Sequence, residues 1–221
     1  MLRIEELNIG GLKIYQDDEL YCFTSDAVLL SRFATVKKGD VVADFCSGSG
    51  IVGLHLYALN PNLINSVTFF EMQESMFQMS VKTIKDNGLA DKFSAINCKI
   101  QDIPVEFNEK FSLIVCNPPY MKKDSGQQKE NYSVAVCRTE IELSLKELIC
   151  GISKSLKFGG RTCIVHRAER LTDVMCEMRS ANIEPKRLQM VYSGNKDPYL
   201  FMIEGVKGGK SGLKVLTAVR N

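Results

Sequence analysis

None of the eight cysteines (positions 22, 46, 98, 116, 137, 150, 163 and 176) stands in a CxxC pair, and no histidine accompanies one at zinc-ligand spacing. A structural zinc module is therefore not expected, nor any other metal. Most of these cysteines lie inside apolar runs, where a free thiol behaves as a small hydrophobe of a reducing compartment. The apolar runs themselves are short and interrupted, too short to span a bilayer. The start, MLRIEELNIG, lacks the basic stretch leading into an apolar one that marks a secretory leader. Linkers rich in Pro, Gly or Ser and low-complexity tracts are missing as well. What is present is ordinary for a globular chain: 221 residues, 45% of them hydrophobic, enough for one substantial core. The expectation is a cytoplasmic, membrane-free protein folded as a single domain over residues 1–221, of an oligomeric state that composition does not reveal.

Charge is unevenly placed. Residues 1–118 carry 10 Lys/Arg against 15 Asp/Glu, whereas residues 119–221 carry 18 against 11. A basic half suits a polyanionic partner, although solvated surface lysines produce the same balance.

From residue 40 strand and helix patterns alternate. DVVADF (40–45), SVTFFE (66–71), FSAIN (93–97) and FSLIVC (111–116) read as strands. Helices are expected over 51–59, over 73–87 up to Asn87-Gly88, and over 140–156, the last stopped by Gly159-Gly160. RTCIVH is then a strand, 168–181 a helix, and RLQMVYS and YLFMIEGV two strands with no helix between them, hence antiparallel. Such alternation implies right-handed crossovers and an α/β fold with a largely parallel sheet covered on both faces. Residues 1–39 differ: LKIYQ and LYCF suggest a short hairpin and TSDAVLLSRFA a helix, together an entry flap within the domain.

In an open α/β sheet, ligands bind beyond the carboxyl ends of the strands, at the switch point. The sequence there is DFCSGSGIVG. Gly48, Gly50 and Gly53 match GxGxxG, and Glu71 follows at the end of the next strand, placed for two ribose hydroxyls, so a nicotinamide dinucleotide is a candidate ligand. Asp44 argues against it. A carboxylate at the mouth of the turn repels a pyrophosphate but suits an ammonium or sulfonium. The plainer reading, a tight strand-to-helix turn and nothing more, leaves Asp44, Glu71 and Asp102 at three strand ends unexplained.

The series Asp44 to Gly50, Glu71, Asp102 and Asn117-Pro118-Pro119-Tyr120 resembles class I S-adenosylmethionine-dependent methyltransferases of the amino-methylating group. YCFTSDAVLLSRFA and HRAERL are similar to the tRNA1(Val) adenine-37 N6-methyltransferase family, and the likeness spans most of the chain. That resemblance implies a Rossmann-like, seven-stranded mixed sheet of order 3-2-1-4-5-7-6 with strand 7 antiparallel. It also implies S-adenosylmethionine as cofactor, Glu71 on its ribose, Asp102 on its adenine and Ser25 near its methionine carboxylate. Gly48 and Gly50 would belong to the cofactor turn. The family's D-x-G-x-G has glycine where this chain has Cys46, so a Cβ and a sulfur enter a place of close backbone approach.

An exocyclic amine such as adenine N6 is a poor nucleophile, because its lone pair is delocalised into the ring. The side-chain oxygen of Asn117 and the main-chain oxygen of Pro118 are suited to accept its two N–H groups and aim the lone pair. Pro119 stiffens the turn, and Tyr120 offers a ring on which an unstacked base rests. The polar stretch 121–138 reads as a functional loop. Its Lys122, Lys123, Lys129 and Arg138, with His166, Arg167 and Arg170, are candidates for phosphate contacts of an RNA, tRNA first. His55 reads as a packed core residue.

Other amines remain open: guanine N2 of ribosomal RNA, or glutamine N5 of a protein, whose enzymes carry a large helical domain before the glycine turn. From another class comes an inactive methyltransferase-fold RNA-binding module, with Cys46 as its trace. The four polar residues Asp44, Glu71, Asp102 and Asn117 argue against that.

Overall fold

The computed structural model describes residues 2–17, 20, 25–120, 142–194 and 196–221. In chain order the elements are β1 (Leu2–Glu6), β2 (Lys13–Asp17), α1 (Ser25–Phe33), β3 (Asp40–Phe45), α2 (Ile51–Leu59), β4 (Ile64–Glu71), α3 (Glu74–Asp86), β5 (Phe93–Asn97) and β6 (Phe111–Cys116). Then follow α4 (Leu145–Ser155), β7 (Leu156–Arg167), α5 (Leu171–Ser180), β8 (Ile183–Tyr192), β9 (Pro198–Lys207), β10 (Lys214–Val215) and β11 (Val219–Arg220).

The main sheet runs β10-β8-β9-β7-β6-β3-β4-β5, with β11 also on β8. It has nine strands, not the expected seven. The two extra strands are only two residues long and pair in parallel with Arg187–Leu188 and Val191–Tyr192 on the open edge of β8. Such an edge presents unpaired backbone groups, which these short segments satisfy. β9 is antiparallel to both β7 and β8, while β3, β4, β5, β6 and β7 run parallel.

β3 sits at the centre because DVVADF is apolar on both faces: Val42, Ala43 and Phe45 are wholly buried. On one face Val42, Phe69, Leu113 and Val115 pack under α1 and α2 through Leu30, Phe33, Leu54 and Leu56. On the other, Phe45 and Ile114 pack under α4 and α5 through Ile149, Ile152, Val174 and Met178. Each such side chain contributes about 1.5–3 kcal/mol on burial. At the amino end of the central strands Arg161 is paired with Asp40 at 2.5 Å, and Ser112 donates to the other Asp40 oxygen at 2.7 Å. This buried clamp fixes β3, β6 and β7 at the end of the sheet opposite the strand tips.

Three local readings need correction. β2 pairs with β1, in register Ile4↔Tyr15, and not with the LYCF stretch, of which residues 21–23 lie outside the described residues. This hairpin packs on α3, where Tyr15 Oη donates to Asp86 at 2.5 Å and Asn87 bonds both main-chain groups of Lys13. Residues 142–144 are not helical, and α4 begins only at Leu145, capped by Ser144 and Glu147 in a reciprocal capping box. Gly159 and Gly160 do not stop that helix. They lie inside β7, which starts at once after Ser155, at a register irregularity against β6. Gly159 has a φ of 75°, and a Cβ on Gly160 would lie 2.8 Å from Lys157 O, so both glycines serve the bulge.

Candidate active site

Beyond Phe45 the chain turns through Cys46, Ser47, Gly48 and Ser49 to Gly50, which leads into α2. Cys46, Gly48 and Gly50 all have left-handed φ, at 56°, 56° and 94°. A Cβ on Gly50 would meet the Phe69 ring at 2.6 Å, and one on Gly53 the same ring at 2.7 Å. Those two glycines let α2 lie close on β4, so the plain tight-turn reading accounts for them. Gly48 differs. Only the Met76 methyl, at 3.3 Å, stands near its missing Cβ, and its face opens on a cleft.

That cleft encloses about 850 Å3 of empty space, part of it open to solvent, and is bounded by the glycine turn, Glu71, Gln73, Gln101 and Asn117. Phe70, Met76, Ile100 and Leu143 make its apolar walls. Glu71 holds the turn in place: its Oε2 accepts from Gly48 N–H and its Oε1 from Gln73 N–H, both at 2.8 Å. Burial raises its pKa above the usual carboxylate range, against the pull of those N–H groups. The Met72 N–H also bears on this carboxylate, whose remaining lone-pair capacity is left for a ligand.

Asp44 lies beneath the turn instead of at its mouth. It is wholly buried, and its Oδ2 accepts from Gly53 N–H at 2.8 Å. Its Oδ1 is buried with no hydrogen-bond partner among the described residues, as is Ser47 Oγ on the cleft wall. Burial pushes the Asp44 carboxyl up to about 7. Cys46 also lines the cleft, and its thiol meets that of Cys116, which is fully buried and whose own pKa burial lifts well above the ordinary thiol value. Left-handed φ is costly for a residue with a Cβ, so Cys46 keeps a backbone shape suited to glycine and places a sulfur at the cleft floor.

β6 delivers Asn117 and Pro119 into the same cleft, with Pro118 buried between them. Tyr120 Oη donates to Asn117 Oδ1 in a short hydrogen bond and lies 3.5 Å from Asp26 Oδ2 at the start of α1. Its ring is 5.5 Å from that of His166.

Two expected cofactor residues stand apart from this group. Asp102 ends a 3-10 turn and is exposed, while Ile100 and Gln101 of that turn line the cleft. Ser25 opens α1 outside the cleft, where its Oγ is 2.5 Å from Asn221 Nδ2. Phosphate contacts by His166 and Arg170 do not fit the structure: both are buried, and Arg170 Nε donates to Asp173 at 2.7 Å. Arg167 is exposed, 3.7 Å from Glu169. Lys122, Lys123, Lys129 and Arg138 lie outside the described residues. His55 is buried, its Nδ1 2.7 Å from Ser31 Oγ. Among the described residues there is no metal-ligand cluster, and no helix is long and apolar enough to cross a membrane.

Sequence reasoning missed Gln73, Gln101, Leu143 and Asp26. Gln73, Gln101 and Asp26 each stand within two positions of a residue it did single out, and Asp26 belongs to the Ser/Asp start of α1, whereas Leu143 carries no local signal.

Similar folds are known. A predicted O-methyltransferase from Agrobacterium tumefaciens superposes with a TM-score of 0.70 at 16% identity, over 88% of this chain and 86% of that one. A tRNA methyltransferase from M. jannaschii gives 0.65 at 16% identity, over 95% and 55%. Sheet, helices and cleft define the Rossmann-like methyltransferase class. Residues 23–179 match the methyltransferase small domain, and the chain belongs to that family. A tRNA1(Val) (adenine(37)-N6)-methyltransferase from a Flavobacteriaceae bacterium is 26% identical over 198 residues, 83% of this chain and 82% of that protein. A Shewanella protein of the same name is 27% identical over 158 residues, 69% of this chain and 64% of its own length.

Proposed function

We propose that this single-domain protein transfers a methyl group from S-adenosylmethionine to an exocyclic amine, adenine N6 of a tRNA, in the cytoplasm. The observation that carries the reading is the meeting of Asn117 and Pro119 with the glycine turn and Glu71 in one cleft. The names of the two relatives support the choice of adenine and tRNA.

The cleft's groups fit the cofactor. Ser47 Oγ is a buried hydroxyl without a partner among the described residues, Gly48 leaves room for close approach, and the apolar walls suit a planar ring. Glu71 binds the ribose hydroxyls through its remaining lone pairs. Gln101 faces the adenine end, with Asp102 beside it, while Ser25, outside the cleft against Asn221, is assigned no contact. S-adenosylmethionine supplies, when bound, a methyl group made electrophilic by the sulfonium.

Asn117 Oδ1 and Pro118 O accept the two amine hydrogens and turn the nitrogen lone pair toward the methyl carbon. Aimed in this way by Asn117 and Pro118, the amine would take the methyl carbon from the sulfonium, leaving a neutral thioether, and would release its surplus proton to solvent. No base is needed before attack, because the two acceptors localise the lone pair. Asn117 Oδ1 is already engaged by Tyr120 Oη. That hydroxyl must leave as the amine arrives, which frees the Tyr120 ring to stack on the base.

The test is methyl transfer to unmodified total tRNA, with modified nucleosides read by mass spectrometry. Wild type is expected to yield N6-methyladenosine, and Asn117→Ala to lose about 100-fold or more in rate while binding S-adenosylmethionine normally by calorimetry. Cofactor binding without any tRNA product would move the acceptor to another base, guanine N2 of ribosomal RNA, or to a protein glutamine. No binding would leave an inactive RNA-binding module.

A further inference from the structure

The hairpin of β1 and β2 forms a two-stranded sheet of its own, apart from the main one. β2 is its inner strand: Ile14, Tyr15 and Gln16 are buried, and Tyr15 packs with Met76 and Met79 of α3. β1 is the outer strand. Among the described residues it pairs with β2 alone, so no second strand lies along its other edge. Such an edge is a template for a further strand, and a hairpin gains stability when strands are added to it. Side chains alternate along β1. Leu2, Ile4 and Glu6 share one face, where Leu2 and Ile4 leave 48% and 54% of their surface exposed. Arg3 and Glu5 share the other, with Arg3 Nη2 2.9 Å from Glu5 Oε1.

This order of residues complements itself. Two copies of β1 set antiparallel across a two-fold axis meet in registers that are each centred on one residue. Centred on Arg3 or on Glu5, the pair sets like charges directly opposite each other, which destabilises a sheet. Centred on Ile4, it sets Ile4 against Ile4 and each Arg3 against the Glu5 of the other copy. Leu2 then lies opposite the Glu6 stem and diagonal to Ile4, within reach across a ladder, so the exposed apolar side chains join in one strip. We propose that β1 is a dimerisation strand, pairing in this register with β1 of a second copy of the chain to give a four-stranded antiparallel sheet. Charges on an edge elsewhere ward off strand addition. A guard of one sign suffices for that, whereas β1 carries both signs on one face. A ladder of five residues per copy is a small contact, so the dimer forms and falls apart with concentration.

The experiment is sedimentation equilibrium of the full chain at rising protein concentration. For wild type the mean mass is expected to climb from one subunit toward two. Arg3→Glu sets acid against acid, Glu5→Arg base against base, and Ile4→Lys two ammonium groups at the axis. Symmetry applies each change twice, so each is expected to raise the dimer dissociation constant about tenfold or more. Arg3→Glu combined with Glu5→Arg restores the pairing and should return to within about threefold of wild type. Mixing the two single charge variants should give a heterodimer, because one then carries two acids on that face and the other two bases. None of the three residues lines the cleft, so calorimetric affinity for S-adenosylmethionine serves as the check on folding. A mass of one subunit at every concentration would mean that the charges only guard the edge, and overturns the proposal. A dimer that both single charge variants leave unchanged joins through another surface and overturns it as well. So does a mixture of the two that stays monomeric, since it rules out this register.

Discussion

Asn117 and Tyr120 were legible in the sequence because Asn-Pro-Pro-Tyr directly follows an apolar run, and their chemistry depends on residue type alone. What the sequence could not show is that they bind each other, or that Tyr120 reaches Asp26 across 94 positions. The contact predicts a split between two variants. Tyr120→Phe removes the hydroxyl that occupies Asn117 and keeps the ring, so methyl transfer should stay within about threefold of wild type. Tyr120→Ala removes the stacking surface, worth about 1–3 kcal/mol, so kcat/KM should fall about tenfold or more. Equal losses in both would mean that the hydroxyl, not the ring, is what the reaction uses. Asp44 and Asp102 show the other limit of sequence reading. Asp44 stands at the end of β3 and Asp102 in a 3-10 turn beyond β5, yet one is sealed under the glycine turn and the other faces solvent, because where a side chain points past a strand depends on turn geometry.

Among the elements, those bounded by strong local signals were readable: β3, β5 and β6 as apolar runs, α3 up to Asn87-Gly88. β10 and β11 had no periodicity to detect at two residues each. The start of β7 was hidden because Leu156 continues the apolar pattern of α4, so the change from helix to strand occurs without a break in composition. Two substitutions separate an element's stability from its service to the cleft. Ser144→Ala breaks the capping box of α4 and should cost about 1 kcal/mol in urea unfolding with cofactor affinity unchanged. Gly50→Ala sets a methyl 2.6 Å from the Phe69 ring at a φ of 94°. It should cost about 1–3 kcal/mol and weaken cofactor binding too, because α2 cannot rise from β4 without moving Gly48.

At the scale of the whole molecule, two buried groups pull stability in opposite directions with pH. The folded pKa of Asp44 is raised to about 7, so its contribution is complete below about 4 and is lost as pH rises toward 7. That of His166 is lowered to about 4, so its contribution is complete above about 6.5 and is lost as pH falls toward 4. Each slope reaches at most about 1.4 kcal/mol per pH unit, and between about pH 4 and 6.5 they offset each other. Asp44→Asn, which keeps an acceptor for Gly53 N–H, should therefore unmask a steep rise of stability with pH over that window. His166→Asn should unmask a fall. Denaturant titrations at half-unit steps read both, and parallel profiles for all three proteins would mean that neither group titrates as its burial dictates.

Cys46 gives the cleft one more property. Its sulfur stands on the floor that a cofactor would cover, half-buried, while Cys150 and Cys176 are exposed elsewhere. The protein thus carries its own chemical footprint. In a single sample treated with a thiol alkylator, Cys150 and Cys176 mark the reagent's intrinsic rate, and slowing at Cys46, together with Cys98 on the same cleft wall, reports occupancy. Occupancy of the cleft becomes a ratio of peptide masses, read without a radiolabel, a fluorophore or a turnover.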